Sequence, residues 1–186
     1  PAASAPQRPG EMAFGLVQLG LAAARLGMAD TAHRIVTALA ARYWRPSLVS
    51  THNAGAIFNV DICGGFVALV LAMLVGSGRD TLDLLPALPS AWERGEVGGI
   101  AGCDQVTVAR LAWTPERLEV ELTATTERRI TIGIGNTQAT VALSPDRPVH
   151  LIAARSAPGS GRSTPPRPDK HPREHPDAAP PAAGTT

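Results

Sequence analysis

The feature that most constrains this chain is a change of hydrophobic period near Gly78. Before it, apolar residues recur at helical spacing; after it they alternate with polar ones, the period of a strand with one buried face. Such a chain places helices in its first part and a sheet in its second, so the expected fold class is α+β.

Residues 11–26 are rich in Leu and Ala, with Met12, Leu16, Leu19, Ala23 and Leu26 at helical spacing and Gly27 where a helix-ending glycine belongs. A second helix follows, with Asp30 able to cap it and Ala32, Ile35, Val36, Leu39, Ala40 and Tyr43 on one face. His33, Arg34, Thr37 and Arg42 fall on the other, so the spacing predicts an antiparallel helical pair joined by a short turn. Pro46 ends regular structure. Residues 47–60 read as a long irregular connection that carries Ser50, Thr51, His52, Asn53 and Asn59 ahead of the acid Asp61. Ordered loops of this length frequently carry function. Gly64 and Gly65 then lead into ten apolar residues, 66–75. That is half of the ~20 needed to cross a bilayer, and as a helix it calls for protein on every side.

Beyond the change of period, the alternating sets are Val106 and Val108; Leu118, Val120 and Leu122; Ile130, Ile132 and Ile134; Val141 and Leu143; Val149 and Leu151. Turn signals separate them at Thr114-Pro115-Glu116, Thr125-Thr126-Glu127, Gly135-Asn136 and Ser144-Pro145-Asp146. The pattern predicts an antiparallel module of about five or six short strands over roughly residues 97–153. Residues 156–186 hold eight of the 17 prolines and no Leu, Ile, Val, Phe, Trp or Tyr, so they cannot bury a core and read as a disordered tail. The expected division is a disordered start over 1–10, a helical segment over 11–78, a β domain over 79–155 and the tail.

A formal net charge of +1 with scattered arginines gives no footprint for nucleic acid. The opening Pro1-Ala2-Ala3-Ser4 shows no leader or membrane anchor, no membrane partner is expected, and the compartment is not read. Cys63 and Cys103 read as small buried residues, and neither a metal site nor a cofactor is implied. His171-Pro172-Arg173-Glu174-His175 has the spacing of a zinc-peptidase motif, but that motif needs a helix, which Pro172 forbids. Thr164-Pro165-Pro166-Arg167-Pro168 reads as a solvated linker rather than a polyproline ligand. Trp92 and Trp113 read as core seals at strand ends, although each could stack on a sugar ring.

Two segments go further. Phe58-Asn59-Val60-Asp61-Ile62-Cys63-Gly64-Gly65 and Leu84-Leu85-Pro86-Ala87-Leu88-Pro89-Ser90-Ala91-Trp92, with Gly95, Val97 and Gly99-Ile100 after them, resemble glycoside hydrolase family 95 over about residues 11–150. The shared order is an acidic motif, a buried helix, a Leu-Leu-Pro-Ala-Leu-Pro run and a closing β region. Ile62-Cys63 stands where Gly-Asn often follows the family aspartate, and His52 lies further from Asp61 than the family histidine does.

The resemblance implies the last helices of an (α/α)6 catalytic barrel, then a small antiparallel β-sandwich-like module and the tail. The rest of the barrel would lie upstream of Pro1. It implies the carboxyl-terminal part of an inverting α-L-fucosidase-type hydrolase, whose substrate is a glycan with terminal α-L-fucosyl or α-L-galactosyl residues. In that chemistry a glutamic acid protonates the leaving oxygen. Asparagine amides activate the water, polarised by the aspartate that Asp61 matches. Asp61 is then the catalytic candidate, and His52, Asn53 and Asn59 are the substrate-binding candidates. Glu11, Glu93 and Glu96 read as surface charge, so the acid is expected upstream and the isolated chain is expected to be inactive. Three alternatives stand beside this: Asp61 as a cap of the following helix, a sugar-binding module using Trp92 or Trp113, and a truncated, non-functional product.

Overall fold

The computed structural model describes residues 11–155. Helix α1 (Ala13–Arg25) ends at Gly27, whose φ of 69° is open to glycine at little cost. Met28 N–H reaches Ala23 O at 2.9 Å and Gly27 N–H reaches Ala24 O at 3.0 Å, the paired bonds of a glycine-terminated helix. Helix α2 (Ala29–Arg42) begins at once. Its N-cap is Met28, without a side-chain bond, and Asp30 sits in the first turn instead of capping it. There its charge still favours the helix dipole.

The inward face of α2 is as its spacing predicts at Ala32, Ile35, Val36, Leu39 and Tyr43, whereas Ala40 is exposed. Helix α1 departs further. It buries Ala13, Val17, Gly20, Ala23 and Ala24, and leaves Met12, Leu19 and Leu26 outside with Phe14. The reason is close packing: a Cβ on Gly20 would stand 2.5 Å from Leu69 Cδ2, and one on Gly65 would stand 2.8 Å from Val17 Cγ1. The small residues face inward because only they let the helices approach this closely.

After α2 the chain is tied down in the stretch read as irregular. Trp44 and Ser50 form a bridge, and strands β1 (Thr51–Asn53) and β2 (Ala56–Phe58) form a small antiparallel hairpin that turns at Gly55, φ 73°. Helix α3 (Asp61–Leu74) starts five residues earlier than the apolar run and contains both glycines. Internal glycine costs about 1 kcal/mol of helix propensity, here offset at Gly65 by contact with Val17. The helix buries Ile62, Leu69, Met73 and Leu74, while Val60, Cys63, Gly64, Val67 and Ala68 form an exposed stripe. Enclosure on every side is therefore not met within the described residues. None of their helices is long and apolar enough to cross a membrane.

Strands β3 (Val75–Gly78) and β4 (Thr81–Leu84) come directly off α3, followed by β5 (Gly95–Ala101), β6 (Val106–Trp113), β7 (Arg117–Ala124), β8 (Arg128–Ile134), β9 (Thr137–Leu143) and β10 (Val149–Ala154). They make two four-stranded sheets, β10-β7-β6-β5 and β3-β4-β8-β9, whose inner faces share one core. All neighbours are antiparallel except β4 and β8, which run parallel with Leu82 opposite Ile132. In β6 the register shifts between Val108 and Arg110, so Val106 and Val108 face inward before the shift and Leu111 and Trp113 after it.

The proline run joins the two halves. Leu85 N–H donates to Leu74 O at 2.7 Å and Ala87 N–H to Met73 O at 3.1 Å, satisfying carbonyls that the end of α3 leaves open. Leu84 packs in the sandwich core and Ala87 in the helical core, with Trp92 against both.

The tight α1–α3 contact yields a paired expectation. Gly20→Val forces a branched side chain against buried Leu69 and Ile35 and should cost about 1–3 kcal/mol, the range of core overpacking. Gly15→Ala, on the same helix but with open space around it, should stabilise by up to about 1 kcal/mol. Urea midpoints of the two variants check both signs.

Candidate active site

The hairpin and the first turn of α3 bring together three of the four catalytic and substrate-binding candidates. Asn59 Oδ1 accepts the backbone N–H of Asp61 at 2.7 Å, and Asn59 Nδ2 donates to Asp61 Oδ2 at 3.2 Å. The same Nδ2 lies 3.1 Å from Nδ1 of His52. His52 and Asn59 are partly buried, and Asp61 is exposed. Asn53 stays outside the cluster. It follows His52 on β1, so its side chain takes the opposite face.

The backbone beneath the cluster is held by Ser50, which is fully buried. Its carbonyl accepts Asn59 N–H at 3.2 Å, its hydroxyl donates to Asn59 O, and Cys63 Sγ lies 3.1 Å from that hydroxyl. Next to it, buried Thr51 donates through Oγ1 to Tyr43 O at 3.2 Å, anchoring the hairpin to α2. Nothing in the sequence separates Ser50 from an ordinary loop serine; only the pairing of β1 with β2 reveals it. Ile57, opposite His52 in the hairpin, has φ 52° and is exposed. For a β-branched residue that conformation is strained, and such strain clusters at functional sites.

Both cysteines are exposed rather than buried. Cys63 stands on the outer stripe of α3, and Cys103 stands in a short 3-10 turn (Cys103–Gln105), where its N–H donates to Ser77 Oγ at 2.7 Å. No group of three or more metal-ligating side chains occurs among the described residues. The His171–His175 motif and the 164–168 run lie outside the described residues.

Asp61 is the first residue of α3, but the bond that caps the turn comes from Asn59, whose Oδ1 takes the Asp61 N–H. The carboxylate of Asp61 is thus not spent on the helix end. Among the described residues its one side-chain bond is the amide of Asn59.

The glutamates divide clearly. Glu11 is not a loose surface charge, since its carboxylate meets Arg42 at 3.3 Å and the hydroxyl of buried Tyr43 at 3.2 Å. Glu96 accepts from Arg110 at 2.7 Å, and that guanidinium holds its carboxyl below the ordinary value. A proton donor needs the reverse shift. Glu93 is exposed. The tryptophans behave as seals: Trp113 is 7% exposed and its indole N–H donates to Trp92 O at 2.8 Å, which leaves it no face for a sugar ring. Trp92 meets the ring of His33 edge to face at 5.6 Å.

Residues 76–155 match the family described as glycoside hydrolase family 95, C-terminal domain. The matched stretch runs from the second residue of β3 to just past the end of β10 and takes in both sheets apart from Val75. The three helices and the Asp61 cluster lie immediately before it. Among solved structures, a chain described as a kojibiose phosphorylase from the human microbiome is similar over 82% of this chain at 14% identity and a TM-score of 0.45. This chain spans 21% of that one's length. None of the curated proteins searched matches the sequence.

Proposed function

We propose that the chain is the carboxyl-terminal part of a glycoside hydrolase resembling inverting α-L-fucosidases, acting on terminal α-L-fucosyl or α-L-galactosyl residues of glycans. Asp61 is its catalytic carboxylate within these residues. The observation that carries this reading is an exposed carboxylate, free of capping duty, accepting an asparagine N–H beside a partly buried histidine, one helix ahead of a family 95 C-terminal domain.

An amide is a poor base by itself. A carboxylate that accepts its N–H increases the electron density on its carbonyl oxygen, which can then draw a proton from water as that water attacks the anomeric carbon. Asn59 Oδ1 already accepts the Asp61 backbone N–H, so the water-activating amide is a second asparagine, placed elsewhere in the polypeptide against the remaining acceptor sites of Asp61. The proton donor is likewise a glutamic acid from another segment, because Glu11 and Glu96 are committed to arginines. The exposed apolar outer faces, Phe14 and Leu19 on α1, Val67 on α3 and Val60 just ahead of it, support a helical sector covered by further helices of a barrel. On this reading the isolated chain binds no complete transition state and is inactive.

The test is hydrolysis by the polypeptide extended upstream of Pro1, with aryl α-L-fucoside and aryl α-L-galactoside as substrates and the first-formed anomer read by NMR. Release of the β-anomer is expected, as direct water attack on the face opposite the leaving group requires. No hydrolysis of either glycoside, or an α-anomer formed first, would overturn the proposal.

A further inference from the structure

The hydrogen-bond directions in the cluster assign more than proximity. An asparagine amide offers one acceptor oxygen and two N–H donors, and its two ends are told apart only by their partners. Here Asp61 supplies both kinds of partner: its backbone N–H can only donate and its carboxylate can only accept. Reversing the Asn59 amide would set N–H against N–H at 2.7 Å and oxygen against carboxylate at 3.2 Å. Nδ2 is therefore the atom that faces His52, 3.1 Å from its Nδ1. It has one hydrogen for Asp61 Oδ2 and one for His52. Since Nδ2 cannot accept, Nδ1 must, and the ring proton of the neutral imidazole stands on Nε2.

We infer that Asn59 is a positioning residue that fixes Asp61 and His52 together, holding the carboxylate in one orientation and His52 in its Nε2–H tautomer. Asn59 then does not bind substrate through its donors, both of which are in use. His52 is the group that meets the glycan, presenting Nε2–H as a donor to a sugar hydroxyl oxygen. Ser50 supports the arrangement by pinning the Asn59 main chain at both its N–H and its carbonyl. The assignment to a sugar rests on the hydrolase reading above; the tautomer and the Asn59 bonds do not.

The test is a long-range 1H–15N correlation spectrum of the 186-residue chain labelled at its five histidines. The His52 signals are identified by their loss in His52→Gln. The expected spectrum places the proton of His52 on Nε2, with the Nδ1 resonance displaced by an accepted hydrogen bond. In Asn59→Leu, close to asparagine in volume, that displacement disappears and the tautomer mixture of a free imidazole returns. A wild-type His52 with its proton on Nδ1, or in the tautomer mixture of a free imidazole, would overturn the inference without any variant. So would an unchanged His52 signal in a folded Asn59→Leu.

In the polypeptide extended upstream, Asn59→Leu should lower kcat about a hundredfold with KM within a few-fold, the cost of a misplaced group beside the chemistry. Should neither glycoside be hydrolysed, the hydrolase reading fails and the tautomer result still stands or falls by itself.

Discussion

Replacing Trp113 with alanine should remove about 3–5 kcal/mol of stability, the range for deleting a large buried aromatic, and on a total of about 5–15 kcal/mol for a domain that leaves little. The magnitude follows from what the indole touches. Trp113 ends the inward face of β6 directly opposite Gly95 on β5, and a Cβ at Gly95 would stand 2.4 Å from its ring, so the indole covers the glycine backbone. Its N–H holds Trp92 O at 2.8 Å, and Trp92 in turn packs against both cores. Losing the ring therefore opens the sandwich at the end where it meets the helices. Trp113→Phe keeps a ring over Gly95 but leaves Trp92 O without its donor, and should cost about 1–3 kcal/mol. Denaturant midpoints measure both. A loss below about 1 kcal/mol for the alanine variant would show that Trp113 seals nothing.

The role of Trp113 could be anticipated from its type and its place at a strand end, and much else in the fold was legible in the same way. Most of the α2 face, the glycine stop of α1 and the strands from β6 to β10 follow from period and turn residues alone. Legibility ended where packing outweighed pattern. On α1 the large apolar residues suggested a face that α3 does not use, because Gly20 and Gly65 permit a closer approach on the small-residue side. The parallel pairing of β4 with β8 is a long-range contact between strands whose alternation is indifferent to direction. The β1–β2 hairpin has three-residue strands, too short to show a period.

The candidate site was legible as a neighbourhood and not as a set of bonds. His52, Asn59 and Asp61 stood out as polar residues in a long connection before an apolar helix, and they do meet. Asn53 looked equivalent in sequence and is separated only by the face it takes on β1. That Asn59, rather than Asp61, closes the first turn of α3 depends on Oδ1 reaching an N–H two residues on, a local choice open to either side chain. The exposure of Cys63 and Cys103 depends on which helix face and which turn are left uncovered, and composition carries no record of that.

Asp61 is where the two readings of the site diverge most sharply. If its carboxylate polarises a water-activating amide, removing the charge should remove most of the water activation, worth about 10²–10⁴ in rate. If instead it only favours the helix dipole, worth about 0.3–1 kcal/mol at an exposed first turn, the rate should hardly change. Asp61→Asn distinguishes them better than alanine alone. It keeps size and backbone, so the Asn59 Oδ1 bond to the residue 61 N–H survives, and it takes away only the charge. The most direct measurement is the kcat of the polypeptide extended upstream of Pro1 on an aryl α-L-fucoside, compared between wild type, Asp61→Asn and Asp61→Ala. We predict a fall of about 10²–10⁴ in both variants with KM within a few-fold; near-normal turnover in either would contradict a catalytic role for Asp61.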